Sequence, residues 1–593
     1  MIMMMKGSKV IHILFYFIGL YCMKITLICA VPCMDSEQQA LLLKLKEGFK
    51  SASDSLSSWT AKEDCCKWRG VGCDNATGHV TILDLHSQDP FNILQGTVSN
   101  NLGNLSHLES LDLTGNGFSL RVENLNWLYH LSSLKVLNLG GVDLSNAEGW
   151  LDAVNMLPSL VELRLFFCKL HKLPQNLHHV NFTSLKFLDL SYNNFSSTIP
   201  DWLSEIGHSV VYLNLSRCQL QSMIPDAFGN LTSLISLDLS ENNLEGPIPL
   251  TLSLFNKSSS LRELYLSNNR LNGSLVQSLA QLSQLVALDV AGNDLEGNIT
   301  EAHLIKFSSL QVLVLSSNRL VLNVSSSWIP PFQLETLDLR SCLVGPKFPH
   351  WLRSQKNLSS IDISNATIAD VVPDWFWNFS SKPNLGSIYT IVFIVIVSSN
   401  NLTGKIPAEV MSLVGLISLN FSRNHLVGPI PPNIGEMISL EILELSRNHL
   451  SCTIPASMTN MSILADFNMS HNNLSGEIPR GTQLEIFDSS SYIENPQLCG
   501  SPLSKICSID ESFGDPHCNN ENGDKENQGI QEEEQDGFEI PSFYLSMGLG
   551  FIIGFSVFWG SLLLNRSWRH TYIRFLDNMS NQIAKEVSKP TTS

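Results

Sequence analysis

The sequence predicts an α/β solenoid of about 16 repeats, wound as a right-handed superhelix with disulfide-bearing caps and followed by one transmembrane helix. Three observations support this prediction. An apolar pattern recurs at steps of roughly 24 to 27 residues, a period typical of solenoids. Cysteines cluster on both sides of the repeated region, and an apolar segment lies near the C-terminus.

The clearest repeat runs from Leu234 to Pro249 and has leucines at Leu234, Leu237 and Leu239. Leucines at this spacing point inward from a short strand and its flanks, while the residues between them face outward. One unit cannot bury that face alone, but stacked units form a continuous core. Leucine-rich repeats are predicted to begin at Val80, Leu108, Leu134, Leu160, Leu185, Val210, Leu234, Leu261, Leu285, Leu310, Leu334, Leu358, Val392, Leu416, Leu440 and Leu464.

An asparagine follows the strand eight positions after the start of most repeats. Its amide can satisfy buried backbone groups at the bend, so we interpret it as structural rather than as a ligand site. The asparagines concerned are Asn116, Asn193, Asn242, Asn269, Asn293, Asn318, Asn424, Asn448 and Asn472. Cys168, Cys218 and Cys342 occupy the same position and are predicted to replace the amide with a weaker donor, since no Cys-x-x-Cys pair indicates metal or redox chemistry.

Cysteine-bearing segments are expected to cap both ends of the open solenoid. Upstream, Cys33, Cys65, Cys66 and Cys73 permit three pairings, of which we expect Cys33 with Cys65 and Cys66 with Cys73. Downstream, Cys499 and Cys507 are expected to form a disulfide. Cys452 and Cys518 are left over, and the sequence does not fix the state of either; a free thiol at Cys452 is one interpretation, because other repeats have glycine at its position.

Charge and hydropathy predict the topology. The net charge of −18 argues against a nucleic-acid partner, which would need a basic surface. The apolar segment from Phe543 to Leu564 is long enough to cross a bilayer, and the arginines after it place the C-terminus in the cytosol. The predicted organisation is a signal peptide (1–30), an N-terminal cap (31–79), the repeats (80–490), a C-terminal cap (491–509), an acidic stalk (510–541), a transmembrane helix (542–564) and a cytoplasmic tail (565–593).

Three motifs together resemble those of plant leucine-rich-repeat receptor-like proteins, and specifically the ethylene-inducing xylanase receptor group. They are the run from Asp64 to Cys73, the segment Asn495-Pro-Gln-Leu-Cys-Gly500, and the membrane-proximal segment from Gly548 to Phe555. The resemblance implies a single-pass type I glycoprotein of the plasma membrane, with its N-terminus outside the cell. It further implies that the protein binds a microbial protein or peptide and signals in plant defence through a recruited leucine-rich-repeat receptor-like kinase.

The tail after residue 564 has no glycine-rich loop and no catalytic kinase motifs, so the chain is predicted not to be an enzyme and to need no cofactor. Ser546, Gly550 and Gly554 form a face of small residues on which another membrane helix can pack, although glycine is also common in such helices. Tyr572 and Phe575 match an internalisation signal, although chance matches are common in a short tail.

Two sets of surface residues are candidates for modification and binding. Glycosylation is predicted at Asn75, Asn104, Asn181, Asn194, Asn214, Asn230, Asn256, Asn272, Asn298, Asn323, Asn357, Asn365, Asn378, Asn401, Asn420, Asn460, Asn468 and Asn473, which precede x-Ser/Thr. Ligand contacts are predicted at Arg164, Phe166, Tyr192, Tyr212, Arg217, Arg262 and Tyr265, because aromatic and arginine side chains commonly dominate protein interfaces. Scattered solvent-facing residues are the alternative interpretation.

One segment departs from the repeat pattern. The step from Leu358 to Val392 is longer than the others, and an apolar run from Ile391 to Val397 replaces the usual strand. Phe393, Ile394 and Ile396 are expected to add outward apolar surface, and an internal deletion is one hypothesis for the departure. A shortened decoy or a developmental peptide co-receptor is therefore the alternative function. A polygalacturonase-inhibitor-like binding protein is a second alternative, which the predicted transmembrane helix disfavours.

Overall fold

The computed structural model of the chain describes residues 36–50, 56–88, 93–254, 260–279, 282–378, 393–413, 415–481 and 483–507. Within these residues no helix is both long and apolar enough to cross a membrane. The predicted signal peptide, stalk, transmembrane helix and tail lie outside them, so the predicted topology and domain boundaries remain predictions.

Each of the predicted repeats contributes one strand to a single long sheet. Its strands are Val71–Cys73, Val80–Asp84, Ser110–Asp112, Val136–Asn138, Glu162–Arg164, Phe187–Asp189, Tyr212–Asn214, Ser236–Asp238, Glu263–Tyr265, Ala287–Asp289, Val312–Val314, Thr336–Asp338, Ser360–Asp362, Phe393–Ile396, Leu416–Asn420, Ile442–Glu444 and Asp466–Asn468. Successive repeats pair in parallel, with Leu213 aligned to Leu188 and Leu237. Val71–Cys73 pairs antiparallel with Val80–Asp84 and covers the first edge.

Shorter elements form the rest of each repeat. The outer strands are Phe49–Lys50, Gln95–Thr97, Leu120–Arg121, Gln221–Ser222, Asn243–Pro247, Arg270–Ser274, Asp294–Ile299, Arg319–Leu322, Thr403–Gly404, His425–Pro429, His449–Cys452, Asn473–Glu477 and Gln497–Cys499. The α-helices are Ser36–Gly48, Trp150–Asn155, Trp202–Glu205, Thr251–Leu254, Leu275–Ser278 and Glu301–Leu304. Single 3-10 turns, such as Asp226–Asn230 and Ala456–Asn460, return the chain to the next strand in most other repeats.

The core lies between the long sheet and these outer elements. Leu234, Leu237 and Leu239 of the clearest repeat are buried, as the spacing predicts. Their equivalents in neighbouring repeats are buried in the same cluster, which extends from Leu42 in the N-terminal helix to Leu498 in the C-terminal cap. Each fully buried leucine contributes about 1.5 to 3 kcal/mol of transfer free energy, so stacking stabilises units that would not fold alone.

The irregular segment forms a strand that fits the sheet. Phe393–Ile396 pairs in parallel with Ser360–Asp362 on one side and with Leu416–Asn420 on the other. Val395 and Val397 are buried. Ile394 and Ile396 are only half-buried, so they add some outward apolar surface; the side chain of Phe393 lies outside the described part.

The caps contain disulfides, as predicted. Cys66 is bonded to Cys73 and Cys499 to Cys507. Cys65 is also disulfide-bonded, while its expected partner Cys33 lies outside the described residues. Cys452, whose state the sequence left open, is disulfide-bonded as well, which excludes its interpretation as a free thiol. Other repeats have glycine at this position, but that does not prevent a cysteine there from forming a disulfide. In a chain predicted to be secreted, a disulfide is the usual state of cysteine.

Candidate ligand-binding surface

A ladder of buried asparagines supports the surface from behind. The Asn242 side chain accepts hydrogen bonds from the backbone amides of Cys218 and Leu220, at 3.0 and 2.9 Å. Its Nδ2 donates to the carbonyl oxygens of Leu215 and Leu239, at 2.9 and 3.0 Å. Each ladder asparagine therefore joins two repeats by satisfying backbone groups that the bend would otherwise leave unpaired. Asn400 and Asn495 make the same contacts and were missed by the sequence analysis, although both are recognisable by position.

The cysteines at the ladder position replace only part of the asparagine chemistry. The Sγ atoms of Cys168 and Cys218 each lie 3.1 Å from a leucine carbonyl of the preceding repeat, as expected for a weak donor. A thiol cannot replace the amide oxygen as an acceptor, so a backbone carbonyl does so instead. The carbonyl oxygen of Cys218 accepts a hydrogen bond from the backbone amide of Phe195 at 3.1 Å. Burial raises the pKa of the Cys218 and Cys342 thiols to about 12, and that of Cys168 further. These three cysteines are therefore inert, neutral thiols.

On the exposed face of the strands, two of the candidate residues belong to one contact series of three side chains. The guanidinium carbon of Arg164 lies 4.3 Å from the centre of the Phe187 ring, and Arg164 also forms an ion pair with Glu162. The Phe187 ring stacks on Tyr212 with centroids 4.1 Å apart and planes 4° from parallel. Arg164 and Tyr212 are thus joined through Phe187, which the sequence analysis did not select although it lies at the same strand position as Tyr212.

A second series runs beside the strands, and we call Phe118, Phe167, Tyr192 and Arg217 the edge line. The Phe118 and Phe167 centroids are 4.7 Å apart, and Phe167 meets Tyr192 edge to face at 6.2 Å. The Arg217 guanidinium carbon lies 4.8 Å from the Tyr192 ring centre. Tyr192 and Arg217 were predicted; Phe167 shares their repeat position, whereas Phe118 lies beyond the strand and had no sequence signal.

Charged side chains fix both ends of the edge line. Lys169 places its Nζ 3.9 Å from the Phe118 ring centre and 3.0 Å from an Asp143 carboxylate oxygen. At the other end, Arg217 forms an ion pair with Glu241. The aromatic rings nevertheless stay accessible, since Phe167 is 49% and Tyr192 47% exposed. The arrangement is an ordered aromatic surface flanked by cations, which suits a protein or peptide partner.

The backbone of the edge line is strained. Phe167, Tyr192 and Arg217 have φ angles of 53°, 58° and 54°. Gly115 and Gly141 occupy the equivalent position in two earlier repeats at φ 74° and 81°. The left-handed conformation costs a residue with a side chain roughly 1 to 2 kcal/mol. Glu241, Arg423 and Arg447 have the same positive φ at this position, so the left-handed backbone belongs to the repeat and only the choice of large aromatic side chains is particular to the edge line.

The remaining candidate residues do not join either series. Phe166 is half-buried and covers Gly140, where an added Cβ would lie 2.2 Å from its ring. Arg262 is exposed and Tyr265 half-buried. In the part of the chain that the structure describes, no ring contact or ion pair links these three residues to the other candidates.

Carboxylates occupy the outward strand position in several repeats of the long sheet. Burial raises the pKa of Asp189, Asp289 and Asp362, although hydrogen bonds from Ser191 and Ser364 to the first and last of these partly offset the effect. Burial also raises the pKa of Tyr265, helped by the nearby charge of Glu263. Proton uptake by this face therefore begins at a higher pH than for free aspartates.

Potential metal ligands also meet in the N-terminal cap. Asp64, Cys65 and Cys66 lie within reach of one ion. Both cysteines are disulfide-bonded, so neither supplies the thiolate that a metal site requires. The arrangement therefore does not fit a metal.

The predicted glycosylation sites that the structure describes lie at positions that solvent can reach. None of the predicted acceptor asparagines whose side chain is described is buried, and most are exposed. Asn214, Asn420 and Asn468 differ in lying on the outward face of the long sheet. Asn256, the side chain of Asn378, the helix-association residues Ser546, Gly550 and Gly554, and Tyr572 and Phe575 lie outside the described part.

Comparisons with known proteins agree with this architecture. Residues 35–74 match the leucine rich repeat N-terminal domain, and 184–206, 209–231, 233–255, 260–282, 415–437 and 439–461 match the leucine rich repeat. The ectodomain of the Arabidopsis thaliana membrane receptor kinase GASSHO1/SCHENGEN3, solved in complex with CASPARIAN STRIP INTEGRITY FACTOR 2, is 26% identical with a TM-score of 0.55. That match covers 74% of this chain and 59% of the ectodomain chain.

Receptor-like proteins EIX1 and EIX2 of Solanum lycopersicum are each 27% identical over 66% of this chain, and the matches cover 54% and 55% of their lengths. The chain thus spans about half the length of these curated relatives. The relatives are receptor-like proteins and the matched structure is a ligand-binding ectodomain, which agrees with the prediction that the chain is not an enzyme. The chain therefore contains a leucine-rich-repeat solenoid and resembles the plant receptor-like proteins EIX1 and EIX2.

Proposed function

We propose that this chain is a cell-surface receptor of plants that binds an extracellular, microbial protein or peptide through the edge line and passes the signal to a recruited receptor-like kinase. The observation that carries the proposal is the edge line itself, in which accessible aromatic rings are held in contact with each other and with cations. A rigid aromatic surface loses little side-chain entropy on binding, so it favours affinity for a partner.

Two further parts of the proposal concern the membrane. The predicted signal peptide, glycosylation sites and transmembrane helix would place the solenoid outside the plasma membrane as a type I glycoprotein. Gly550 and Gly554 of that helix would contact the kinase helix, and Tyr572 would serve internalisation. The similarity to EIX1 and EIX2 supports this arrangement, and defence signalling is the proposed outcome of binding.

Ligand binding is tested on plant cells that display the full-length chain. Biotin-labelled proteins secreted by a fungal culture are incubated with the cells, and bound proteins are identified by mass spectrometry. We expect at least one protein that binds the wild type and is lost with Tyr192→Ala and Arg217→Ala. Arg319→Ala is the matched control, because Arg319 also pairs with an acid of a neighbouring repeat, Asp294, but lies away from the edge line. Equal capture by all variants would contradict the proposed surface.

Signalling is tested by co-immunoprecipitation of the tagged full-length chain with leucine-rich-repeat receptor-like kinases from plant membranes. We expect a kinase that the wild type recovers and that Gly550→Leu/Gly554→Leu loses, since leucine would prevent close helix packing. Recovery of no kinase by the wild type would refute signalling through a recruited kinase and favour a decoy that binds without signalling.

A further inference from the structure

Two histidines occupy the same position in consecutive repeats near the C-terminal cap. His425 and His449 follow the ladder residues Asn424 and Asn448 directly. They begin the outer strands His425–Pro429 and His449–Cys452, which pair in parallel. Both side chains are exposed, and the Nδ1 atom of His425 lies 3.4 Å from the Nε2 atom of His449.

The two rings approach through their nitrogen-bearing edges. The ring planes are 17° from parallel and the centroids are 5.6 Å apart, so the two nitrogens face each other and are much closer than the ring centres. Two nitrogens bound to one tetrahedral ion at about 2.0 to 2.1 Å would lie roughly 3.4 Å apart. The observed spacing therefore already matches that of two ligands of one ion. As a hydrogen bond the same contact is long, since N–H bonds in proteins mostly fall near 2.9 to 3.0 Å.

A second histidine pair has a different geometry. His79 and His107 stack face to face, with centroids 4.0 Å apart and planes 2° from parallel. The Nδ1 atom of His79 is also within 2.7 Å of the Gln38 amide nitrogen. This pair supplies a control in the same chain, because its rings lie closer together, with centroids 4.0 Å apart, and the Nδ1 atom of His79 is already engaged by Gln38.

We propose that His425 and His449 bind one divalent transition-metal ion, of the class of Zn²⁺, Ni²⁺ or Cu²⁺, on the surface of the solenoid. Imidazole nitrogen favours these ions over Mg²⁺ and Ca²⁺, which prefer oxygen. Two protein ligands leave at least two coordination positions for water or for a group of another molecule. Arg423 and Arg447 lie two residues before the histidines, and their positive charge weakens the site without removing its ligands.

The test titrates the purified full-length chain with ZnCl₂ by isothermal calorimetry, with MgCl₂ as the comparison ion. We expect His425→Gln and His449→Gln each to lower zinc affinity by at least about tenfold relative to the wild type, because one imidazole remains. His107→Gln should leave affinity unchanged. Both site histidines are exposed, so the variants should unfold at the wild-type temperature, which a thermal scan checks.

Electron paramagnetic resonance of bound Cu²⁺ gives an independent measurement. The wild type should show a signal with two equatorial imidazole nitrogens, and either variant a signal with one. Equal zinc affinity in the wild type and in both variants would overturn the proposal, as would a Cu²⁺ signal that the substitutions do not change.

Discussion

The ladder and the edge line occupy adjacent positions in the same turn, yet they differ in what the fold demands of them. The ladder position is buried and contains asparagine in most repeats, with Cys168 and Cys218 as substitutes. The position before it keeps a positive φ from repeat to repeat but contains residues as different as Gly115, Phe167 and Arg447. The solenoid therefore fixes the side chain that joins repeats and fixes only the backbone of its neighbour, which leaves that side chain available for recognition.

The largest effect should come from removing a ladder asparagine. Asn242→Ala would leave the amides of Cys218 and Leu220 and the carbonyl of Leu215 buried without partners, each costing about 1 to 3 kcal/mol, while the Leu239 carbonyl keeps its hydrogen bond from Asn269. We expect a loss of at least about 3 kcal/mol in the free energy of unfolding, after allowance for relaxation. Denaturant unfolding of the full-length chain measures the loss, and hydrogen exchange at Cys218 and Leu220 should accelerate. Asn243→Ala, at the exposed next residue, is the control, and equal stability of the two variants would refute the ladder's role.

A smaller effect should follow when asparagine replaces a ladder cysteine. If Cys218 were a simple substitute, Cys218→Asn would stabilise the chain. We expect the opposite, a loss of about 1 to 3 kcal/mol, because the site is fully buried and the Cys218 carbonyl already accepts the Phe195 amide. Thermal unfolding compares this variant with Cys218→Ala, which removes only the weak Sγ donor and should lose less. Stabilisation by asparagine would show that the turn adapts freely.

The stability of the solenoid should also depend on pH, because three outward strand aspartates are partly buried. Burial raises the pKa of Asp189, Asp289 and Asp362, so the folded state binds protons more tightly than the unfolded state. This stabilisation is complete below the unfolded pKa near 3.9, and it is lost as pH rises through the folded values. We therefore expect the unfolding temperature to rise as the pH falls through the raised pKa values toward about 3.9. The Asp→Asn variant at all three positions should reduce the rise, and an unchanged slope would contradict the assignment.

The sequence predicted positions that repeat and missed those that depend on one turn. The period located the long-sheet strand of each repeat, though not the outer strands, and Asn242 and its equivalents were interpreted correctly as structural because a buried bend needs an amide. Phe118 was missed because it lies in the turn Gly117–Ser119, beyond the periodic part of its repeat. The state of Cys452 stayed open for a related reason, since pairing depends on which cysteine approaches and not on the repeat position.

The smallest expected effect on stability belongs to the edge line. Tyr192→Gly removes a side chain from a residue at φ 58°, which relieves roughly 1 to 2 kcal/mol of backbone strain. It also removes the cation–π contact with Arg217, worth about 0.5 to 1 kcal/mol at an exposed site. Added chain entropy in the unfolded state offsets part of the gain. We expect a change within about 1 kcal/mol in the free energy of unfolding, together with loss of ligand capture.

Tyr192→Phe keeps the ring and should retain both stability and capture, so it separates the aromatic face from the hydroxyl group. Denaturant unfolding and the cell-surface capture assay on the same variants give the two measurements. A loss of several kcal/mol with glycine would mean that Tyr192 holds the repeats together as the ladder does. In that case the strained backbone at Tyr192 would support packing between repeats. The distinction between ladder side chains, which join repeats, and edge-line side chains, which bind a partner, would then not hold at this position.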